Sequence, residues 1–482
     1  MSVLSFVNFS LNVKTYDAQI LGVYIIIVSV FNLGANLDFG FGISTVKLIS
    51  EAIAGNEIKK ISVVFVSFFY FYFFLALIFS ILYILYFWLL GNNSILSLNS
   101  EVNVKYIVLL SCVTFFVRYL VNFLTKVFEG LGEFIILAKF NIGFAAINCI
   151  LVFIVFYYKL NLTYLVTFFT ISSTVSFLVL GLYLLYKLNN VSFGLKYFSL
   201  ELIKTNSTQN INLQLSFIVY SFLDPLIKFL IAHSLNLNFV TFYETGKKII
   251  DLTNGLIFAF QKEVLNKISH SNAGGNLIEF VNTKLGYYAK ISNYYSIFVY
   301  GISNALIFYF IFIWFKSYDS GIFFLLYCLP FSLINFSGSS YMILMITSNG
   351  KYLLIIQTIN VLLSLAFTYF NFMLFENYLG LFGIYMSSIV SIFFIYSYLK
   401  NKLDMNLKNF FTHIKIQKTI LLNLLIMVQI FLLYNFKEQY IQILICSFLV
   451  YSFIFSDILI YIFKTVKENL FKIYYKYKIE KT

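Results

Sequence analysis

Charge is what this chain lacks most. Only 11% of its 482 residues are Asp, Glu, Lys or Arg, while 61% are hydrophobic. Water-soluble domains carry roughly 25% charged residues, so a soluble fold is excluded. Proline is almost missing as well, at two residues, and long apolar stretches run uninterrupted. Three scattered histidines offer no metal-ligand set. The four cysteines, Cys112, Cys149, Cys328 and Cys446, all fall inside apolar runs, where packing explains them better than a disulfide or a metal. No Gly-rich phosphate loop is present: "SNGKYL" lacks the upstream glycine and the following Ser or Thr of a Walker A motif. The longest external connection, "GNNSILSLNSEVNV" near 91–104, supplies one carboxylate and no base. These absences argue against an enzyme, so no catalytic residue, metal or cofactor is expected.

What remains is apolar sequence in runs of membrane-spanning length, the mark of an all-α polytopic membrane protein. No secretory signal is expected, because the first hydrophobic run leads into many others. Spans are predicted at 19–45, 61–90, 105–128, 135–158, 161–187, 210–235, 240–262, 287–315, 321–347, 352–375, 379–399, 418–435 and 439–463, after an apolar stub at the N-terminus. Assigning Lys and Arg to alternate sides gives 24 on one and 5 on the other. The positive-inside rule places the basic side, with the C-terminus, in the cytoplasm. Topology therefore accounts for most of the net charge of +13, and no nucleic acid need be invoked.

Two stretches repeat. "LGEFIILAKFNIGFAAINCILVF" from Leu131 aligns with "NGKYLLIIQTINVLLSLAFTYF" from Asn349, and "GVYIIIVSV" from Gly22 with "TFYETGKKI" from Thr241. The near-identical offsets predict two parallel six-helix bundles, 1–187 and 205–400, then two additional helices over 418–463 and a basic tail, 464–482. By the same offset the stub "MSVLSFVNFSLNV" is short for its counterpart. At roughly 20 Å of helix against a 30 Å hydrocarbon core, the first helix reads as incomplete, through truncation or a misassigned start.

The two sides leave four basic residues, all well inside predicted spans: Arg118, Lys228, Lys247 and Lys248. In "SFLDPLIKFLIAH", Asp224 and Lys228 are four apart and can pair on one helical face, while Pro225 should bend the helix. Removing "YETGKK" to an external loop would leave "IIDLTNGLIFAFQ", too short to span. Glu244, Lys247, Lys248, Asp251 and Asn254 therefore form one face of a membrane helix, and a polar stripe of this kind avoids lipid. Two readings are open. Glu244–Lys248 and Lys247–Asp251 could be ion pairs that merely lock the fold, or the stripe could line a hydrated cavity whose cations attract an anion; the second is preferred. Arg118 belongs to that cavity or pairs with another helix. His233 reads as interfacial. Asp38, in "NLGANLDFGFGIST", is either a gate or pairing residue or a helix terminus held by its own hydrogen bond. The 60 Phe and 38 Tyr mostly face lipid or core.

Four segments carry a family resemblance over roughly residues 15 to 400. "YDAQILGVYIIIVSVFNLGANLDFGFGISTVKLISE" resembles the second helix of polysaccharide-export flippases, and "KVFEGLGEFIILAKFN" their turn between helices four and five. "SFLDPLIKFLIAHSLNLNFVTFYETGKKI" is similar to their helix seven and the Tyr-bearing start of helix eight, and "YLGLFGIYMSSIVS" to the Gly-rich entry of helix twelve. The family is that of the Wzx-type O-antigen and polysaccharide flippases of the MOP superfamily, relatives of lipid II flippases and MATE exporters. The resemblance implies a MATE/MOP-like pair of lobes around a cationic cavity in the bacterial inner membrane. It implies transport of an undecaprenyl-diphosphate-linked oligosaccharide, an O-antigen or capsule repeat unit, with membrane lipid, a polysaccharide polymerase and a chain-length regulator as partners. Lys228, Lys247, Lys248 and Arg118 would meet the substrate; Asp224, Glu244, Asp251 and Asp38 would pair charges or couple an ion. One departure is Pro225, where the family often has a basic residue; Lys228 follows a turn later. The alternatives are a MATE-like exporter of cationic drugs, which would favour an acidic cavity, and a membrane-embedded polysaccharide polymerase, which would need a larger external loop.

Overall fold

Backbone amides inside hydrocarbon must find partners within their own segment, and the apolar runs of this chain answer with helices. A computed structural model describes residues 2–35, 41–55, 57–90, 104–188, 194–208, 211–273, 277–347 and 350–462. Its first helices are α1 Ser2–Thr15, α2 Ala18–Ala35, α3 Phe41–Ala54, α4 Ile58–Leu90, α5 Val104–Gly130, α6 Phe134–Tyr157 and α7 Leu162–Lys187. Next come α8 Leu200–Thr208, α9 Ile211–Ser221, α10 Leu223–Ser234, α11 Leu237–Ala273, α12 Leu277–Thr283, α13 Leu285–Ile297 and α14 Asn304–Phe315. The last are α15 Tyr318–Thr347, α16 Lys351–Phe375, α17 Phe382–Leu403, α18 Leu407–Ile414, α19 Ile416–Asn435 and α20 Tyr440–Ile454. No strand occurs among the described residues.

Nine helices among the described residues are long and apolar enough to cross a membrane, and two bent pairs bring the number to eleven. One pair joins 285–302 to α14 at 50°, and the other joins 437–454 to 456–462 at 72°. Both bends fall inside segments predicted as single spans, 287–315 and 439–463. At the first, the backbone takes a π-helical turn over Phe298–Ile302, which swings the following helix off axis. The segment predicted at 210–235 is one span, Gln214–Ser234, interrupted only at Phe222 between α9 and α10. Pro225, in the first turn of α10, has no N–H to return to Ser221. The predicted span 240–262 is the middle of the 37-residue α11. Past its apolar part, Ile257, Gln261, Val264 and Ile268 are each 3% exposed or less at helical spacing, so one buried face carries the helix onward to Ala273.

The helices group into two compact units. The first holds residues 1–244 and 347–383. There α5 packs against α2, α3, α4 and α7, while α16 packs against α9 and α10. Its core is aromatic: Tyr72 lies 5.1 Å from Phe123 and 5.2 Å from Tyr119 between ring centroids. The second unit holds residues 245–346 and 384–482. Its central helix is α15, where 83% of the most apolar window is buried, against 11% in α6 of the first unit. Yet α15 buries Ser332, Asn335, Ser337, Ser339 and Ser340, while α6 shows Ile135, Ile142, Ile150 and Phe153 to its surroundings. Of these two, the more apolar helix faces lipid and the small, polar one sits inside, as expected where lipid replaces water as solvent.

Candidate functional site

Lys228 is 2% exposed within the first unit. Its ammonium lies 2.8 Å from Asp224 Oδ2, one turn back on α10, and 2.7 Å from Glu244 Oε2 on α11. It also donates to Ser29 Oγ of α2 at 2.6 Å, and the Ser29 hydroxyl in turn donates to the Ile25 carbonyl at 2.6 Å. Tyr243 donates to Asp224 Oδ1 at 3.3 Å. The ammonium thus meets two carboxylates as ion pairs and donates to one hydroxyl. The pairing of Asp224 with Lys228 was legible from their spacing; Glu244 and Ser29 come from other helices and were not. This triad clamps α10 between α2 and the start of α11.

Thr241, one turn before Glu244 on α11, donates to the Ala18 carbonyl at 2.7 Å. Nearby, a Cβ on Gly22 would stand 2.2 Å from the Leu237 carbonyl oxygen. The approach of α2 to the entry of α11 is thus closer than any side chain at position 22 allows.

Further along α11, in the second unit, the stripe divides by burial. Lys247 and Lys248 are half-buried, Asp251 is exposed and Asn254 is buried. Asn254 Oδ1 accepts from Tyr300 Oη at 2.6 Å and from Asn335 Nδ2 at 3.1 Å. A second set of amides lies nearer α14: Asn304 Nδ2 donates to Gln429 Oε1 at 3.0 Å, and Tyr451 donates to the same oxygen at 3.0 Å. His233 is exposed at the end of α10. Asp38 lies outside the described residues.

Arg118 has different company. It lies in the middle of α5, in the first unit, and opens into a cavity of about 300 Å³ between α5, α6 and α7. Its Nε donates to Ser173 Oγ at 3.1 Å, and across the cavity Ser172 Oγ donates to Asn148 Oδ1 at 2.7 Å. Asn122, Thr125, Phe144 and Ser176 complete most of the wall. Among the described residues no carboxylate pairs with Arg118, and none lines the cavity. The sequence showed the arginine but not the Ser172, Ser173 and Ser176 that surround it. Their spacing on one face of α7, in "ISSTVS", was the available signal. No group of His, Cys, Asp or Glu able to hold a metal ion is present among the described residues.

Neither the family-level sequence comparison nor the comparison with individual characterised proteins gives a match. Solved structures do match. A multidrug resistance MATE family transporter of the MOP superfamily, in its inward-facing conformation, superposes with a TM-score of 0.66 at 17% identity, covering 83% of this chain and 96% of its own. The lipid II flippase MurJ, inward closed, superposes with a TM-score of 0.66 at 16% identity, covering 95% of this chain and 97% of its own. A MOP superfamily transporter from Pyrococcus furiosus, described as having a binding pocket of reverse polarity, gives a TM-score of 0.56 at 15% identity over 84% of this chain and 94% of its own. These likenesses are too distant in sequence to speak beyond architecture, but the architecture is shared along most of each chain. The chain is a polytopic helical membrane protein with the fold of MOP superfamily transporters.

Proposed function

We propose that this chain is a flippase that moves an undecaprenyl-diphosphate-linked oligosaccharide, an O-antigen or capsule repeat unit, across the bacterial inner membrane by alternating access, with its C-terminus in the cytoplasm. The observation that carries the reading is Arg118: a guanidinium at mid-span, open to a polar cavity with no carboxylate beside it among the described residues. A cation at membrane depth is unfavourable unless it is hydrated or an anionic partner visits, and a polar cavity allows both. A cavity for cationic drugs would call for the opposite sign, which disfavours the MATE-like exporter. The likeness to MurJ, which extends over more of this chain than the likeness to the MATE structures does, supports a lipid-linked substrate.

In this reading Lys247 and Lys248 are the cations that meet the diphosphate, and Arg118 meets another anionic part of the substrate. Lys228, enclosed by Asp224, Glu244 and Ser29, serves by bracing α10 against α2 and α11. The two six-helix bundles of the repeat would be the moving lobes. Asp224, Glu244, Asp251 and Asp38 would hold the basic residues in place or couple an ion. A polymerase and a chain-length regulator would receive the product.

The test is the sidedness of lipid-linked glycan in cells lacking the protein, probed in inner-membrane vesicles with a glycan-modifying enzyme that cannot cross the bilayer. Accumulation of the unpolymerised repeat unit on the cytoplasmic leaflet is expected, and Lys247→Ala with Lys248→Ala should reproduce it although the protein still inserts. Normal arrival of the repeat unit at the outer leaflet without the protein would overturn the assignment.

A further inference from the structure

The cavity at Arg118 is specific enough to suggest what part of a substrate it holds. Arg118 on α5, Phe144 and Asn148 on α6, and Ser172 and Ser176 on α7 converge on about 300 Å³ within the first unit. That is the lower end of ligand-cavity sizes, suited to a single ring rather than to a whole oligosaccharide. The functional groups are one guanidinium, amides and hydroxyls, with an aromatic face among them. Ser173 occupies the Arg118 Nε, which fixes the plane of the guanidinium and leaves its four Nη hydrogens for a ligand. Ser172 likewise occupies the Asn148 carbonyl oxygen, leaving the amide NH2 as donor.

We propose that this cavity is a saccharide subsite for a carboxylated sugar ring, a residue of the uronic-acid type. The ring carboxylate takes the Arg118 fork in a bidentate pair, the hydroxyls meet Asn148, Ser172 and Ser176, and the C–H face of the ring lies against Phe144. The inference deepens the flippase reading and rests on it for the origin of the sugar. Charge decides between the two anions such a substrate could offer. A carboxylate carries one negative charge, which one guanidinium neutralises in a fitted planar geometry. A diphosphate carries more, and the neutral hydroxyls and amides around Arg118 supply no second cation for the excess. The diphosphate is better served elsewhere.

The experiment uses the full chain in lipid nanodiscs and saturation-transfer NMR, with glucuronate, glucose and inorganic pyrophosphate as separate probes. Glucuronate is expected to bind, glucose about tenfold more weakly, and pyrophosphate should fail to displace glucuronate. Arg118→Lys keeps the charge but loses the fork, and should weaken glucuronate binding about tenfold while leaving glucose unchanged. Asn148→Ala should weaken both sugars. Displacement by pyrophosphate, or equal binding of glucose and glucuronate, overturns the assignment. The sidedness assay separates the two readings. If the repeat unit is trapped inside without the protein but no sugar binds, the subsite falls and the flippase stands. If Arg118-dependent glucuronate binding is seen while lipid-linked glycan crosses normally without the protein, the subsite stands and the flippase falls.

Discussion

At Lys228 a buried ammonium is ion-paired with Asp224 and Glu244 and donates to Ser29, and the charge balance of that site makes its removal severe. Truncating Lys228 to Ala would leave two carboxylates facing each other in a site where the lysine itself is 2% exposed. Breaking a buried ion pair from one side destabilises by about 3–5 kcal/mol, mostly through the uncompensated charge left behind. A large drop in the thermal unfolding midpoint is therefore expected for Lys228→Ala. Adding Asp224→Asn and Glu244→Gln to that variant should recover much of it. If Lys228→Ala unfolds like the parent, the triad does not hold these helices together. The sequence exposed half of this site, since two charges four apart declare themselves on any helix. The other half arrives from α2 and α11, and no local pattern around Ser29 marks it as the third acceptor. Arg118 is the converse: its charge was conspicuous, and its neutral surroundings, which give it meaning, were not.

Among the elements, α2 and α11 show how one atom sets a helix crossing. The Leu237 carbonyl oxygen would stand 2.2 Å from a Cβ at position 22, and a backbone oxygen cannot rotate aside as a side chain would. Gly22→Ala must push α11 away from α2, straining the Thr241 bond to the Ala18 carbonyl and the Glu244 arm of the triad. Overpacking of this kind destabilises by about 1–3 kcal/mol, and Gly22→Ala should lower the thermal midpoint accordingly. Ala at Gly143, which has nothing within 4 Å of its would-be Cβ, should not. Equal midpoints for the two variants would show that α2 and α11 have room to part. Helix positions were read well from apolar runs, because the membrane demands both length and self-satisfied backbones. Bends were read less well. Pro225 announced the break before α10, but the π-helical turn at Phe298–Ile302 and the bend after α20 carry no proline and depend on packing against neighbours. Gly301, for instance, leaves room for Leu422, whose Cδ1 would stand 2.7 Å from an added Cβ.

Over the whole molecule, the two additional helices are built into the second unit rather than appended to it. Asn293 of α13 accepts from Thr419 of α19 at 2.8 Å, and Ser332 of α15 donates to Asn423 at 2.9 Å. Asn304 donates to Gln429 at 3.0 Å, and Tyr318 donates to the Leu433 carbonyl at 2.6 Å. Periodicity located α19 and α20 but gave no hint of these bonds, because Thr419, Asn423 and Gln429 are modest polar residues in an apolar run. Their shared face becomes meaningful only once α13, α14 and α15 are known to lie opposite. Ending the chain after Leu403 would strip partners from Asn293, Asn304, Tyr318 and Ser332, all of them at least nine-tenths buried. Asn304 and Ser332 keep the Tyr300 and Leu329 carbonyls, but Asn293 and Tyr318 do not keep theirs, and each buried polar group left unsatisfied is unfavourable by about 1–3 kcal/mol. The truncated chain should insert but fail to give a monodisperse peak in size-exclusion chromatography. Gln429→Leu, which takes one shared acceptor from Asn304 and Tyr451 in the full chain, should remain monodisperse and merely unfold earlier. A well-behaved truncated chain would mean that the second unit folds without α19 and α20, and that these polar bonds follow the packing rather than secure it.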